Sequence, residues 1–304
     1  MNRAEFVTVG VARLRTLMVN VYFVESSAGW VLIDAGLPGT ASAIRTAAAE
    51  LFGTGTHPQA IVLTHGHFDH VGALRTLIDE WRVPVYVHPL ELPYVTGVSK
   101  YPPPDPIVGG GVLALLSSAY PRGPYDFGAR VNVLPENGRV PGLPAWRWLH
   151  TPGHTAGHVS LFRESDRVLI AGDAVVTTRQ ESLRSVLTQR AEVWRPPAYY
   201  TQDWTAARSS VESLAMLEPE FLATGHGTPM RGQPMRDALH HLALHFDAAR
   251  PQHGRYVHQP VIADAHGIVR VPPRPPIPVS WRIGALAIGA ASLAVLRQIR
   301  RSES

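Results

Sequence analysis

The run Thr64-His65-Gly66-His67-Phe68-Asp69-His70 places three imidazoles and one carboxylate within six residues. Imidazole and carboxylate suit zinc and related divalent ions, and thiolate ligation is excluded because the chain has no cysteine. On an extended turn His65 and His67, two residues apart, point to the same side, whereas Asp69 and His70 enter a helix start and aim elsewhere. Two adjacent metal positions follow from that divergence. The competing reading, a solvated His-rich turn, loses ground as the rest of the chain is read.

Such a run needs firm elements on both sides. Ala60-Ile61-Val62-Leu63 reads as a buried strand, and Val71-Gly72-Ala73-Leu74 with Leu77 and Ile78 reads as one helix to about Trp81. Val83 to His88 is the next strand, so the motif sits in a βαβ-like unit. Upstream, Phe6 to Ala12, Met18 to Val24 and Trp30 to Gly36 form a β-meander, followed by a helix at about Thr40 to Phe52. Asp34 ends a buried strand, where a carboxylate needs partners. It either braces the metal loop or caps the following helix.

Downstream, Ala145 to His150, Val159 to Phe162 and Arg167 to Ala171 read as strands, Thr205 to Leu217 as a helix, Glu220 to Ala223 as the last strand and Pro234 to Ala248 as a helix. Three further metal-type residues stand beside these strands: His154 in Thr151-Pro152-Gly153-His154-Thr155, Asp173 after Ala171-Gly172, and His226 in Thr224-Gly225-His226-Gly227. His158, at a strand start, reads as a supporting or core residue, His88 as a turn cap and His57 as a surface residue. His240, His241 and His245 read as a surface or packing face of a helix. From about 90 to 130 the chain is rich in Pro and Gly beside aromatics, which suggests an insert over a pocket. Tyr94, Tyr101, Tyr120, Tyr125 and Phe127 are its candidates for substrate contact or for packing the insert onto the body.

The order and surroundings of these residues resemble the metallo-β-lactamase superfamily, over about residues 6–248. The matching pieces are His65-x-His67-x-Asp69-His70, Thr151-Pro152-Gly153-His154-Thr155, Gly172-Asp173, Gly225-His226-Gly227 and Asp34-Ala35-Gly36. The resemblance implies an α/β fold, a four-layer αββα sandwich with a dinuclear site. His65, His67 and His154 would hold one divalent ion and Asp69, His70 and His226 the second, with Asp173 bridging, Asp34 and His158 in support, and substrate contacts undefined. Two zinc ions are the first expectation, iron or manganese the alternatives. A hydroxide shared by the ions would be the nucleophile, and Asp69 would orient it and carry a proton to the leaving group.

Within that family, β-lactamases usually carry another residue where Asp173 stands, and the flavin-linked diiron branch has Glu where His67 stands. No RNA-binding arm and no glutathione-binding basic cluster is evident. In one lactonase group a tyrosine follows the bridging Asp by three residues; here that position is Val176, and Tyr199 and Tyr200 lie further along. The implied activity is hydrolysis of a lactone, ester or thioester. Two other classes compete: a regulatory or binding protein that retains the metals, and a mononuclear iron enzyme that oxidises sulfur compounds.

The 304 residues carry a net charge of +4, almost entirely from Arg, since Lys100 is the one lysine. Neither a dense basic run before the tail nor aromatic-basic interleaving is present, so nucleic acid is not an expected partner. No apolar leader follows Met1, because Arg13 and Arg15 interrupt the only candidate, and a cytoplasmic location is expected. A catalytic domain is expected at 1–250 and a Pro-rich linker with an apolar helix at 251–304. Its uncharged stretch Ile283 to Leu296 would span about 21 Å, short of the roughly 30 Å of a hydrocarbon core. It would pack on the body or on a second subunit in a homodimer, or touch a membrane surface with help from Arg297, Arg300 and Arg301.

Overall fold

Alternation along the strands decides the layers of this protein. The computed structural model describes residues 3–108 and 111–275. Its first sheet runs, in spatial order, β1 (Glu5–Thr8), β2 (Val11–Thr16), β3 (Val19–Ser26), β4 (Gly29–Ile33), β5 (Ala60–Val62), β6 (Val85–Val87) and β7 (Val131–Val133). The first four form an antiparallel meander and the rest join in parallel. With it go α1 (Ala41–Phe52), α2 (Phe68–Val71), α3 (Leu74–Trp81) and α4 (Leu92–Val95), whereas Leu113 and Ala114 of α5 (Val112–Leu116) join the core of the other sheet. The second sheet comprises β8 (Arg139–Val140), β9 (Leu143–His150), β10 (Val159–Arg163), β11 (Val168–Ile170), β12 (Phe221–Ala223) and β13 (Met230–Arg231). It is antiparallel except for β11 and β12. Its helices are α6 (Leu183–Thr188), α7 (Trp204–Ala215), α8 (Gly232–Leu244) and α9 (Phe246–Ala249). A separate hairpin, β14 (Ile262–Asp264) and β15 (Gly267–Arg270), follows.

Val31 and Ile33 of β4, with Ala60 and Val62 of β5, face Leu161, Val168, Ile170 and Ala223 of the other sheet in one buried cluster. The alternate residues Leu32 and Ile61 point the other way, onto Ile44 and Ala48 of α1 and Leu74, Leu77 and Ile78 of α3. Phe162, Leu169 and Leu222 likewise pack on Val211 and Leu214 of α7 and Met235 and Leu239 of α8. Helix, sheet, sheet, helix is therefore the layer order, the expected αββα sandwich. Each such fully buried aliphatic side chain contributes about 1.5–3 kcal/mol.

Four expectations change. The single helix after the His-rich turn is two, because the Gly72 and Ala73 amides donate to the carbonyls of Gly36 (2.8 Å) and Ala35 (3.2 Å) and so leave the helical pattern. A Cβ on Gly72 would lie 2.2 Å from the Pro38 nitrogen. β12 is not the last strand, and the helix expected to reach Ala248 breaks at His245. Residues 251–272 belong to the compact body rather than to a linker: Arg255 Nε donates to the Pro272 carbonyl (2.7 Å) and the Tyr256 hydroxyl to that of Pro103. The apolar stretch 283–296 lies outside the described residues. Among the described residues no helix is long and apolar enough to cross a membrane.

Candidate metal centre

The loops after β4, β5, β9, β11 and β12 meet at one end of the two sheets. The last four bring seven side chains together in three overlapping triads: His65, His67 and His154; His65, His70 and Asp173; Asp69, His70 and His226. Within each triad one donor atom per residue lies within 4.8 Å of the others. Asp173 touches both halves, with Oδ2 3.5 Å from His154 Nε2 and 3.1 Å from His226 Nε2, and Oδ1 3.6 Å from His70 Nε2. Asp69 Oδ2 is 3.4 Å from His226 Nε2 and 4.0 Å from His70 Nε2. Six of the seven are buried, whereas the Asp69 side chain keeps 15% of its surface exposed.

The remote nitrogens fix which face of each ring looks inward. His70 Nδ1 donates to Asp34 Oδ2 at 2.8 Å, and His226 Nδ1 donates to the Met18 carbonyl at 2.9 Å. The Thr64 hydroxyl donates to Asp34 Oδ2 (2.8 Å) and accepts from His65 Nδ1 (3.1 Å), while the Thr64 amide donates to Asp34 Oδ1 (2.7 Å). All three rings thus present Nε2 to the cluster. The β12 loop is tied to the opposite sheet by Asn20, whose Nδ2 donates to the carbonyls of Thr224 (2.8 Å) and Gly227 (2.7 Å), and by the Tyr22 hydroxyl on Thr224 (2.7 Å).

The donor set fits cations. His65 Nε2, His70 Nε2 and Asp173 Oδ1 are buried without a hydrogen-bond partner among the described residues, an arrangement that is costly unless something else satisfies them. His67 Nδ1 and His154 Nε2 face each other at 3.0 Å, so two lone pairs there must share a proton or a cation. Burial pushes the pKa values of His65 and His67 well below the ordinary imidazole value and that of His154 down to about 4, which leaves neutral rings. Neutral imidazole is the form a metal takes. Burial also opposes charge on His70 and His226, yet the surrounding carboxylates (Asp34, Asp173 and Asp69 for His70, Asp173 and Asp69 for His226) hold both above the usual value. For Asp173 burial works upward, and His226 with His70 outweighs it and holds the carboxyl well below its usual range.

Asp34 therefore braces the motif rather than capping α1, whose N-cap is Thr40. His158 is not among the triads: its Nε2 accepts the Asp173 amide (2.9 Å), and Nδ1 meets the Thr151 hydroxyl (2.9 Å). His88 accepts the Leu90 amide at Nδ1 (3.2 Å) and stacks on His150 at 4.2 Å. His57 is exposed, His240 pairs with Glu218, and the His241 and His245 rings stack together away from the centre. Of the insert aromatics, Tyr101 packs on His67 (4.5 Å between ring centres) and Tyr120 on Phe68 (5.2 Å). Tyr94 stacks beneath Tyr101, and Phe127 belongs to the core.

One residue is not singled out by the sequence, and another, Tyr200, is set aside there as too far along the chain. Glu91 accepts hydrogen bonds from both the 65–67 and the 155–157 loops, and only its place shortly after a strand end could have flagged it. The Tyr200 ring centre stands 4.4 Å from that of His67, with a buried hydroxyl that has no partner among the described residues, while Val176 is engaged with Trp194 through both backbone groups.

The family model described as "Metallo-beta-lactamase superfamily" matches residues 14–226. The chain is 49% identical over 237 residues to the "Probable metallo-hydrolase YflN" of Bacillus subtilis (strain 168), covering 77% of this chain and 90% of that one. It is 29% identical over 209 residues to the "Probable metallo-hydrolase YybB" of the same organism, covering 69% and 80%. Its fold is similar to that of an archaeal metallo-beta-lactamase superfamily protein from Sulfolobus tokodaii, with TM-score 0.51, 19% identity and coverage of 75% and 80%. Every residue of the His/Asp cluster lies inside the matched stretch, and the chain belongs to the metallo-beta-lactamase superfamily.

Proposed function

We propose that this protein is a metal-dependent hydrolase that cleaves a carboxylic ester-type bond, a lactone, ester or thioester, in a small molecule. The observation that carries the reading is the convergence of seven imidazole and carboxylate side chains with buried donor atoms left for a cation. His65, His67 and His154 would hold one divalent ion, Asp69, His70 and His226 a second, and Asp173 would stand between them. Zinc is the first choice, iron or manganese the alternatives. Divalent cations in such a site lower the pKa of water toward neutrality and polarise a carbonyl.

The chain's own groups do the rest. Asp34 and the Met18 carbonyl keep the His70 and His226 rings turned inward. Asp69, the most exposed member of the cluster, is placed to take the proton of the attacking water and deliver it to the leaving oxygen or sulfur. Tyr200, whose phenol beside His67 has no partner among the described residues, is a donor available to a substrate oxygen. The test is acid release in a pH-stat from zinc-loaded protein given an acyl-homoserine lactone or, separately, an acylglutathione thioester. Acid from either substrate supports hydrolysis and names the branch. No acid from any ester, with oxygen uptake by iron-loaded protein, would replace hydrolysis by oxidation.

A further inference from the structure

Glu91 is 1% exposed, and its hydrogen-bond partners are all neutral donors. The turn after β6 aims it inward: the Glu91 amide donates to the His88 carbonyl (2.9 Å), at the start of α4. Oε1 accepts from the Thr155 hydroxyl (2.7 Å) and the Gly157 amide (3.0 Å). Oε2 accepts from the Gly66 amide (3.0 Å) and the Tyr101 hydroxyl. Gly66 separates His65 from His67, and Thr155 and Gly157 follow His154, so one carboxylate joins the loops that carry all three histidines.

Space has been cleared for this arrangement on both loops. A Cβ on Gly157 would lie 2.8 Å from Glu91 Cγ, and a Cβ on Gly66 would lie 2.7 Å from the Tyr101 hydroxyl oxygen. Four donors to two oxygens suit the ionised form of a buried carboxylate, which is otherwise expensive to bury. On the far side of the motif Asp34 grips Thr64 and His70. The two carboxylates thus bracket the His-rich turn.

We propose that Glu91 is a positioning residue for the three-histidine group. It locks Gly66 to the 154–157 loop so that His65, His67 and His154 keep the spacing of one shared cation. This rests on the metal-binding reading above.

The test strips the full-length protein with a chelator and titrates it with Co2+, reading affinity and the visible d–d band, with kcat and KM measured alongside on a hydrolysed ester. In E91Q an amide NH2 meets two donors. The expected result is a loss of Co2+ affinity of about 10- to 100-fold, an altered band, and a lower kcat at little-changed KM, partly rescued in E91D. Tyr101→Phe removes one donor and loses affinity about 3- to 10-fold in the same direction. An E91Q protein that melts earlier but shows wild-type Co2+ affinity and band would make Glu91 a staple of the fold and overturn the proposal. Should E91Q not fold, an unchanged affinity and band in Tyr101→Phe overturns it instead. Wild-type protein that takes up no Co2+ would sink the metal reading itself, a separate failure.

Discussion

The His65, His70 and His226 rings owe their orientation to the bond the other nitrogen makes. Asp34 serves two of them at once, directly for His70 and through the Thr64 hydroxyl for His65. Asp34→Ala strands three buried donors: the Thr64 amide, the Thr64 hydroxyl and His70 Nδ1. Each unsatisfied buried group costs about 1–3 kcal/mol. Denaturant unfolding should show a loss of about 2–4 kcal/mol after some relaxation of the loop, together with weaker metal uptake. A variant as stable as the wild type would mean that the Asp34 network is dispensable.

At the scale of elements, β6 and β9 are joined beyond their ladders by the stacked pair His88 and His150. Burial, aided by His150, pushes the His88 pKa down to about 4 from the ordinary value of about 6.5. Between those values the unfolded chain binds more protons than the folded one. The stability contribution is complete above about pH 6.5 and is lost as pH falls toward 4. The gap in Tm between wild type and His88→Gln should therefore narrow from pH 7 to pH 4.5, and a constant gap would refute a neutral buried His88. The seven clustered residues were legible in the sequence because most follow a short apolar strand directly or nearly so, where side chains converge without knowledge of the rest. Glu91 was not, since its partners are mostly backbone amides and hydroxyls that carry no spacing signal. Tyr200 meets His67 only through the tertiary fold. The break between α2 and α3 was hidden because apolar spacing continues across Gly72, whereas its cause lies at Gly36 and Pro38.

The whole molecule places this chemistry where two sheets end together. The inter-sheet core holds β4 and β5 against β10, β11 and β12, so the loops of both sheets share one frame. Asn20 and Tyr22 then pin the His226 loop to the sheet that carries the His-rich turn. A cluster built from both halves should collapse as a unit when its shared member is removed. The most direct measurement is metal content per chain by atomic emission, after zinc loading and desalting at neutral pH, for the wild type and Asp173→Ala. About two ions are expected in the wild type and one or fewer in the variant. A wild type that retains none, or a variant that keeps both, would contradict it.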